Sequence, residues 1–196
     1  ALYYPGQALI SRVPRPWLGH TARVGGDLVR NVARKDIEVA RGELRKLFGD
    51  RPLPQSEDDI LREAWRQTMF NELEVLGYAD LGPRTIDRVT LLQGQEHLDH
   101  ALAAGKGAIL MIGHFGANQM IMPALGHRGY TVNQLSANPT VWKDIRTDGR
   151  AGRLWTAVQE RRWALEKALP VQHIDVFSFL RPAYDCLKRN EVLGLA

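Results

Sequence analysis

Apolar and polar positions change period along this chain. Over residues 37–48 the apolar side chains Ile37, Ala40, Leu44, Leu47 and Phe48 fall close to a helical stripe. Pro52 and Pro54 break it. Ser56, followed by Asp58 and Asp59, supplies a cap and first-turn acids for a second helix. Its stripe of Ile60, Leu61, Ala64, Trp65, Thr68, Met69, Leu73 and Leu76 runs to Gly77, a fitting stop. From Val89 onward short apolar runs alternate with helical stretches. Strands are expected at 89–92, 107–112, 130–135, 171–176 and 192–196. Helices are expected at 95–104, 118–127, 150–169 and 182–189, with Pro123 kinking or shortening the second of these. Strands alternating with helices predict an α/β fold, a mainly parallel sheet flanked by helices.

One strand ends on chemistry. Residues 108–112 form a continuous apolar run bounded by glycines, the pattern of a strand covered on both faces. His114 follows among small residues, in the sequence Gly113-His114-Phe115-Gly116-Ala117-Asn118-Gln119. In open α/β sheets, ligands bind beyond the carboxyl ends of the strands. A histidine there can accept a proton near neutral pH, and Gly113 and Gly116 let a substrate come close. The competing reading is a structural histidine capping the next helix.

The leading residues, 1–33, differ from the rest. Pro5, Pro14 and Pro16 sit with Tyr3, Tyr4 and Trp17, and arginines at 12, 15, 23 and 30 interleave with aliphatic side chains. Such a mixture suits an interfacial segment, with rings at headgroups and guanidinium groups on phosphates, or an arm packed on the domain. Two parts are therefore expected, a basic aromatic arm at 1–33 and the domain proper at 34–196. The closing run of Val192 to Ala196 reads as a strand that a catalytic loop would follow, so a longer protein is expected.

From Val89 to Gln119 the sequence resembles the lipid A late acyltransferases, whose motif is a histidine followed by four residues and then an acid. The matching residues are Gln93-Gly94-Gln95-Glu96-His97-Leu98, then Gly105-Lys106-Gly107, then Gly113-His114-Phe115-Gly116. The family phrase is close to Gly-His-Phe-Gly-Asn-Trp-Glu; here Gln119 stands where the acid belongs. Residues 34–77 resemble the family's paired leading helices, and Asn138-Pro139 and residues 181–196 its later blocks. Only the His114 segment is diagnostic. A glycerolipid-acyltransferase-like fold is implied.

The resemblance implies a general base at His114, with Gln119 or Asn118 orienting its ring, and no metal, cofactor or covalent intermediate. An amide can hold a ring by a hydrogen bond but cannot stabilise imidazolium as a carboxylate does. Three readings of Gln119 stay open: a slower enzyme, an acid supplied from elsewhere, or a lapsed member that still binds lipid or acyl carrier. Gln134 also stands near a place where the family often has an arginine. Gly113, Phe115, Gly116 and Asn118 are expected against the substrate. Of the arginines at 146, 150, 153, 161 and 162, Arg161 or Arg162 occupies the place of a family arginine that could bind phosphate or an oxyanion.

Composition narrows the partners. The formal net charge of +4 is a mild excess that favours an anionic phospholipid surface, an acidic carrier or a phosphorylated glycolipid, and is too scattered to argue for nucleic acid. Cys186 is the only cysteine, so no internal disulfide forms and a reducing compartment fits. Glu96, His97 and His100 tempt a metal reading, yet the histidines are three apart and the glutamate precedes both, unlike a zincin. Neither a phosphate-loop order nor a Gly-x-Ser-x-Gly elbow is present.

The expectation is a membrane-peripheral O-acyltransferase at the cytoplasmic face of a Gram-negative inner membrane, moving a fatty acyl group from a thioester to a hydroxyl of a lipid A precursor. Acyl carrier protein or acyl-coenzyme A would be the donor. The alternatives are a catalytically lapsed lipid- or carrier-binding protein and, more weakly, a thioester hydrolase.

Overall fold

The computed structural model describes residues 12–13, 15–138, 141 and 153–195. Within them the chain divides into two compact units, parted between Glu74 and Val75.

The first unit is helical. It holds α1 (Arg15–Val32), α2 (Arg34–Phe48) and most of α3 (Glu57–Leu76). Ser56 caps α3 as its sequence requires, its Oγ accepting the Asp59 N–H at 3.1 Å. α1 and α3 come close at Gly26, where an added Cβ would lie 2.6 Å from Arg66 Cα. Asp27 and Arg66 clamp that crossing with hydrogen bonds of 2.6 and 2.8 Å. The guanidinium holds the Asp27 carboxyl below its ordinary range. Glu57 ties α3 to α2 through Arg41 and Arg45. Tyr3, Tyr4, Leu9 and Ile10 of the leading arm lie outside the described residues; Trp17 is exposed on α1.

The second unit carries the sheet. In chain order come α4 (Gln95–Ala103), β1 (Ala108–Met111), α5 (Ile121–His127), β2 (Val132–Ser136), α6 (Arg153–Lys167), β3 (Gln172–Asp175), α7 (Arg181–Lys188) and β4 (Val192–Leu195). The strand order is β1-β4-β2-β3 and every pairing is parallel. This is the α/β architecture that the alternation of elements predicts.

Adjacent residues of a strand face opposite ways, and β4 shows it. Val192 joins Ile112, Met122, Leu125, Val132 and Val171 in one apolar cluster; its neighbour Leu193 joins Ile174, Ala183 and Cys186 in another. Cys186 is fully buried, and burial raises its thiol pKa, so it behaves as a small core group. A third cluster, built on Val75, Tyr78, Ile86, Met120, Ala124 and Leu165, lies beneath the turn that follows β1.

Two expectations need correction. Residues 89–92 form no strand. The Thr90 N–H goes to Ile86 O at 2.9 Å and its carbonyl accepts from Arg128 Nη2 at 2.9 Å, so no partner strand is served. Ile86 is the buried residue of that stretch and Leu91 is exposed. β1 is also not covered on both faces among the described residues, for Ile109 and Met111 are exposed. In register Ile109 pairs with Leu193, whose face α7 covers over β4 and β2. Pro123 falls in the first turn of α5, where a missing N–H costs nothing, and a short 3-10 turn at Asn118–Met120 precedes it.

Candidate active site

β1 ends where its sheet partner ends, with the Ile112 N–H bonded to Leu195 O at 2.7 Å. The chain then turns sharply. The Phe115 N–H bonds back to Gly113 O at 2.9 Å, and Gly116 adopts φ +58°, a left-handed conformation natural to glycine. Gly113 is needed for another reason: the Phe115 ring folds over it, and an added Cβ would lie 2.2 Å from a ring carbon. His114 is thus delivered, exposed, beyond the carboxyl end of β1.

A pocket of about 170 Å³ opens beside it. His114, Asn118, Gln119, Gln134, Arg162, Glu166 and His173 bring polar groups to its wall, and Ile112, Met122, Leu169 and Val171 make it apolar elsewhere. Its size is below the ~300–1,000 Å³ that encloses a drug-sized ligand.

Gln119 is fixed from two sides. Its main-chain oxygen accepts the Tyr78 hydroxyl at 2.8 Å, and its side-chain Oε1 accepts Arg162 Nη2 at 2.8 Å. Arg162 also donates from Nε to Glu166 Oε1 at 3.0 Å, one turn along α6. Both members of that pair are largely shielded from water. On the far wall the His173 ring packs edge-on against Trp163, with centroids 4.6 Å apart, and its Nδ1 lies 3.1 Å from Ser136 Oγ. Burial lowers the His173 pKa, so the ring stays neutral further into acid than a free histidine.

Of the residues that the sequence marks, the structure gathers His114, Asn118, Gln119 and Arg162 around one pocket. Between the two candidate arginines it is Arg162 that lines the pocket. Gly113 and Gly116 shape the turn, and Phe115 is exposed above it. Arg146 and Arg150 lie outside the described residues, as do Pro139 and the side chain of Arg153. Glu96 and His97 are exposed, and no three His, Cys, Asp or Glu side chains converge among the described residues.

Sequence reasoning missed Tyr78, Glu166 and His173. His173 had little signal, since it stands second in β3, inside the strand and not beyond its carboxyl end as His114 does. Glu166 had one, four residues after Arg162 on the same helix. Tyr78 had none, because its partner lies 41 residues away.

The family model described as bacterial lipid A biosynthesis acyltransferase matches residues 2–192. No curated protein matches the chain. Among the described residues no helix is long and apolar enough to cross a membrane.

Proposed function

Since the chain belongs to the bacterial lipid A biosynthesis acyltransferase family, we propose that it moves a fatty acyl group from a thioester to a hydroxyl of a lipid A precursor, with His114 as general base. The observation that carries this reading is the position of His114, at a strand's carboxyl end and on the wall of a pocket that also holds Arg162.

The acceptor hydroxyl gives its proton to the His114 ring as its oxygen bonds to the thioester carbonyl carbon. The carbonyl π pair moves to oxygen, giving a tetrahedral oxyanion. That pair returns as the C–S bond breaks, and the leaving thiolate takes the proton from imidazolium. An ester and a free thiol result, with no covalent enzyme intermediate. Removing such a base costs about 10²- to 10⁴-fold in rate.

The donor is acyl carrier protein or acyl-coenzyme A, and the net charge of +4 suits an acidic carrier or an anionic membrane surface. The protein works peripherally at the cytoplasmic face of the inner membrane. Gly113, Phe115, Gly116 and Asn118 form the approach to the reacting groups. The test is thiol release from both donors, with a lipid A precursor present or absent. Acceptor-dependent release from one of them supports the reading. Acceptor-independent release of free fatty acid would make the protein a hydrolase. Donor binding without release would make it a lapsed carrier-binding protein.

A further inference from the structure

Gln119 stands where the family motif has an acid, and its surroundings make it a different instrument. A guanidinium has donors and no acceptor, so the amide atom facing Arg162 is the oxygen. The planar amide then carries its NH2 group on the side away from Arg162. Neither N–H of Nε2 meets a protein acceptor among the described residues, and Gln119 lines the same pocket as His114. Two hydrogen bonds support that arrangement: Tyr78 holds the main chain of Gln119, and Glu166 holds Arg162.

The oxyanion needs donors placed before it forms. The Phe115 N–H next to His114 is engaged with Gly113 O. A carboxylate at position 119 would offer only acceptors and a like charge. An amide turned by Arg162 offers two donors.

We infer that Gln119 is a catalytic hydrogen-bond donor, its Nε2–H groups binding the thioester carbonyl oxygen and the charge that oxygen gains when the hydroxyl attacks. This rests on the thioester reading of the pocket. Position 119 then serves the electrophile, whereas the family's acid serves the histidine.

The two roles predict opposite signs. Gln119→Glu retains the Arg162 contact and removes the donors, so it isolates them from folding. Full-length protein carrying Gln119→Glu or Gln119→Met is expected to lose about 10²-fold in kcat, with donor KM little changed. A Gln119→Glu protein as fast as wild type, or faster, would overturn the inference. A second readout does not need turnover. The infrared carbonyl band of a bound keto analogue of acyl-coenzyme A, with methylene in place of sulfur, should fall at lower wavenumber in wild type than in either variant. A band unmoved by Gln119→Met would overturn the donor contact. An inactive wild type with a Gln119-dependent band would overturn acyl transfer alone and support the contact. Failure of wild type to bind the analogue, carried either on coenzyme A or on acyl carrier protein, would overturn both.

Discussion

Arg162 Nη2 lies 2.8 Å from Gln119 Oε1, joining α6 to the turn that follows His114. Because Nε of the same guanidinium holds Glu166 at 3.0 Å, the amide's orientation is set from a helix otherwise remote in the chain.

Lysine cannot reproduce that fork, since a point ammonium on a flexible stem does not hold two partners in one plane. Arg162→Lys should lower kcat about 10- to 100-fold, the worth of one charge-assisted hydrogen bond. Steady-state kinetics beside a thermal melt checks this, and an equal loss from a change on the exposed face of α6 would contradict it.

Tyr78→Phe deletes the hydroxyl that holds the Gln119 main chain. Stability should fall by about 1 kcal/mol in urea denaturation. Activity should fall further than stability accounts for, because the turn below the amide loosens.

Gly107 and Gly105 both sit before β1 at positive φ, +72° and +69°. A Cβ at Gly107 would come within 2.8 Å of Leu187 main-chain atoms, whereas one at Gly105 meets nothing within 4 Å. Gly105→Ala should cost about 1–3 kcal/mol of backbone strain. Gly107→Ala should cost that and a further ~1–3 kcal/mol of overlap. Equal denaturation midpoints for the two variants would contradict the packing described.

Burial lowers the pKa of His173, and of His127, below the ordinary value of 6.5. Between the lowered pKa and 6.5 the unfolded chain binds more protons than the folded one, so stability rises with pH there. The contribution is complete above 6.5 and is lost as pH falls below it. Urea midpoints should therefore drop from about pH 8 to pH 5.5, and His173→Gln should flatten part of that slope, with His127 supplying the rest. Asp27 and Glu57, whose pKa values their arginines lower, act in a more acid window, losing their contribution only as pH falls below the ordinary carboxylate range.

The sequence revealed those parts of the molecule that depend on local pattern. The strand before His114, the helix at 57–76 and the spacing from His114 to Gln119 all lie within short windows, where apolar period and caps decide the structure. The site itself is assembled from residues 78, 114, 119, 162, 166 and 173, which meet only because the strands run parallel and the crossover helices return to one end. Three apolar residues and Thr90 at 89–92 mimicked a strand, yet their backbone is bonded to Ile86 and Arg128; no local pattern announces an arginine 38 residues away. Arg162 could be separated from Arg161 only by the helix phase that packing selects.

The most direct test of the account is acyl transfer by full-length wild type and His114→Ala, with acyl carrier protein thioester as donor and a lipid A precursor as acceptor. Acylated precursor is read by mass spectrometry, and both proteins are shown folded by equal thermal melts. The account predicts acylated precursor from wild type and a loss of about 10²-fold or more in the variant. Equal product from the two proteins would contradict the role of His114, and with it the chemistry assigned to the pocket.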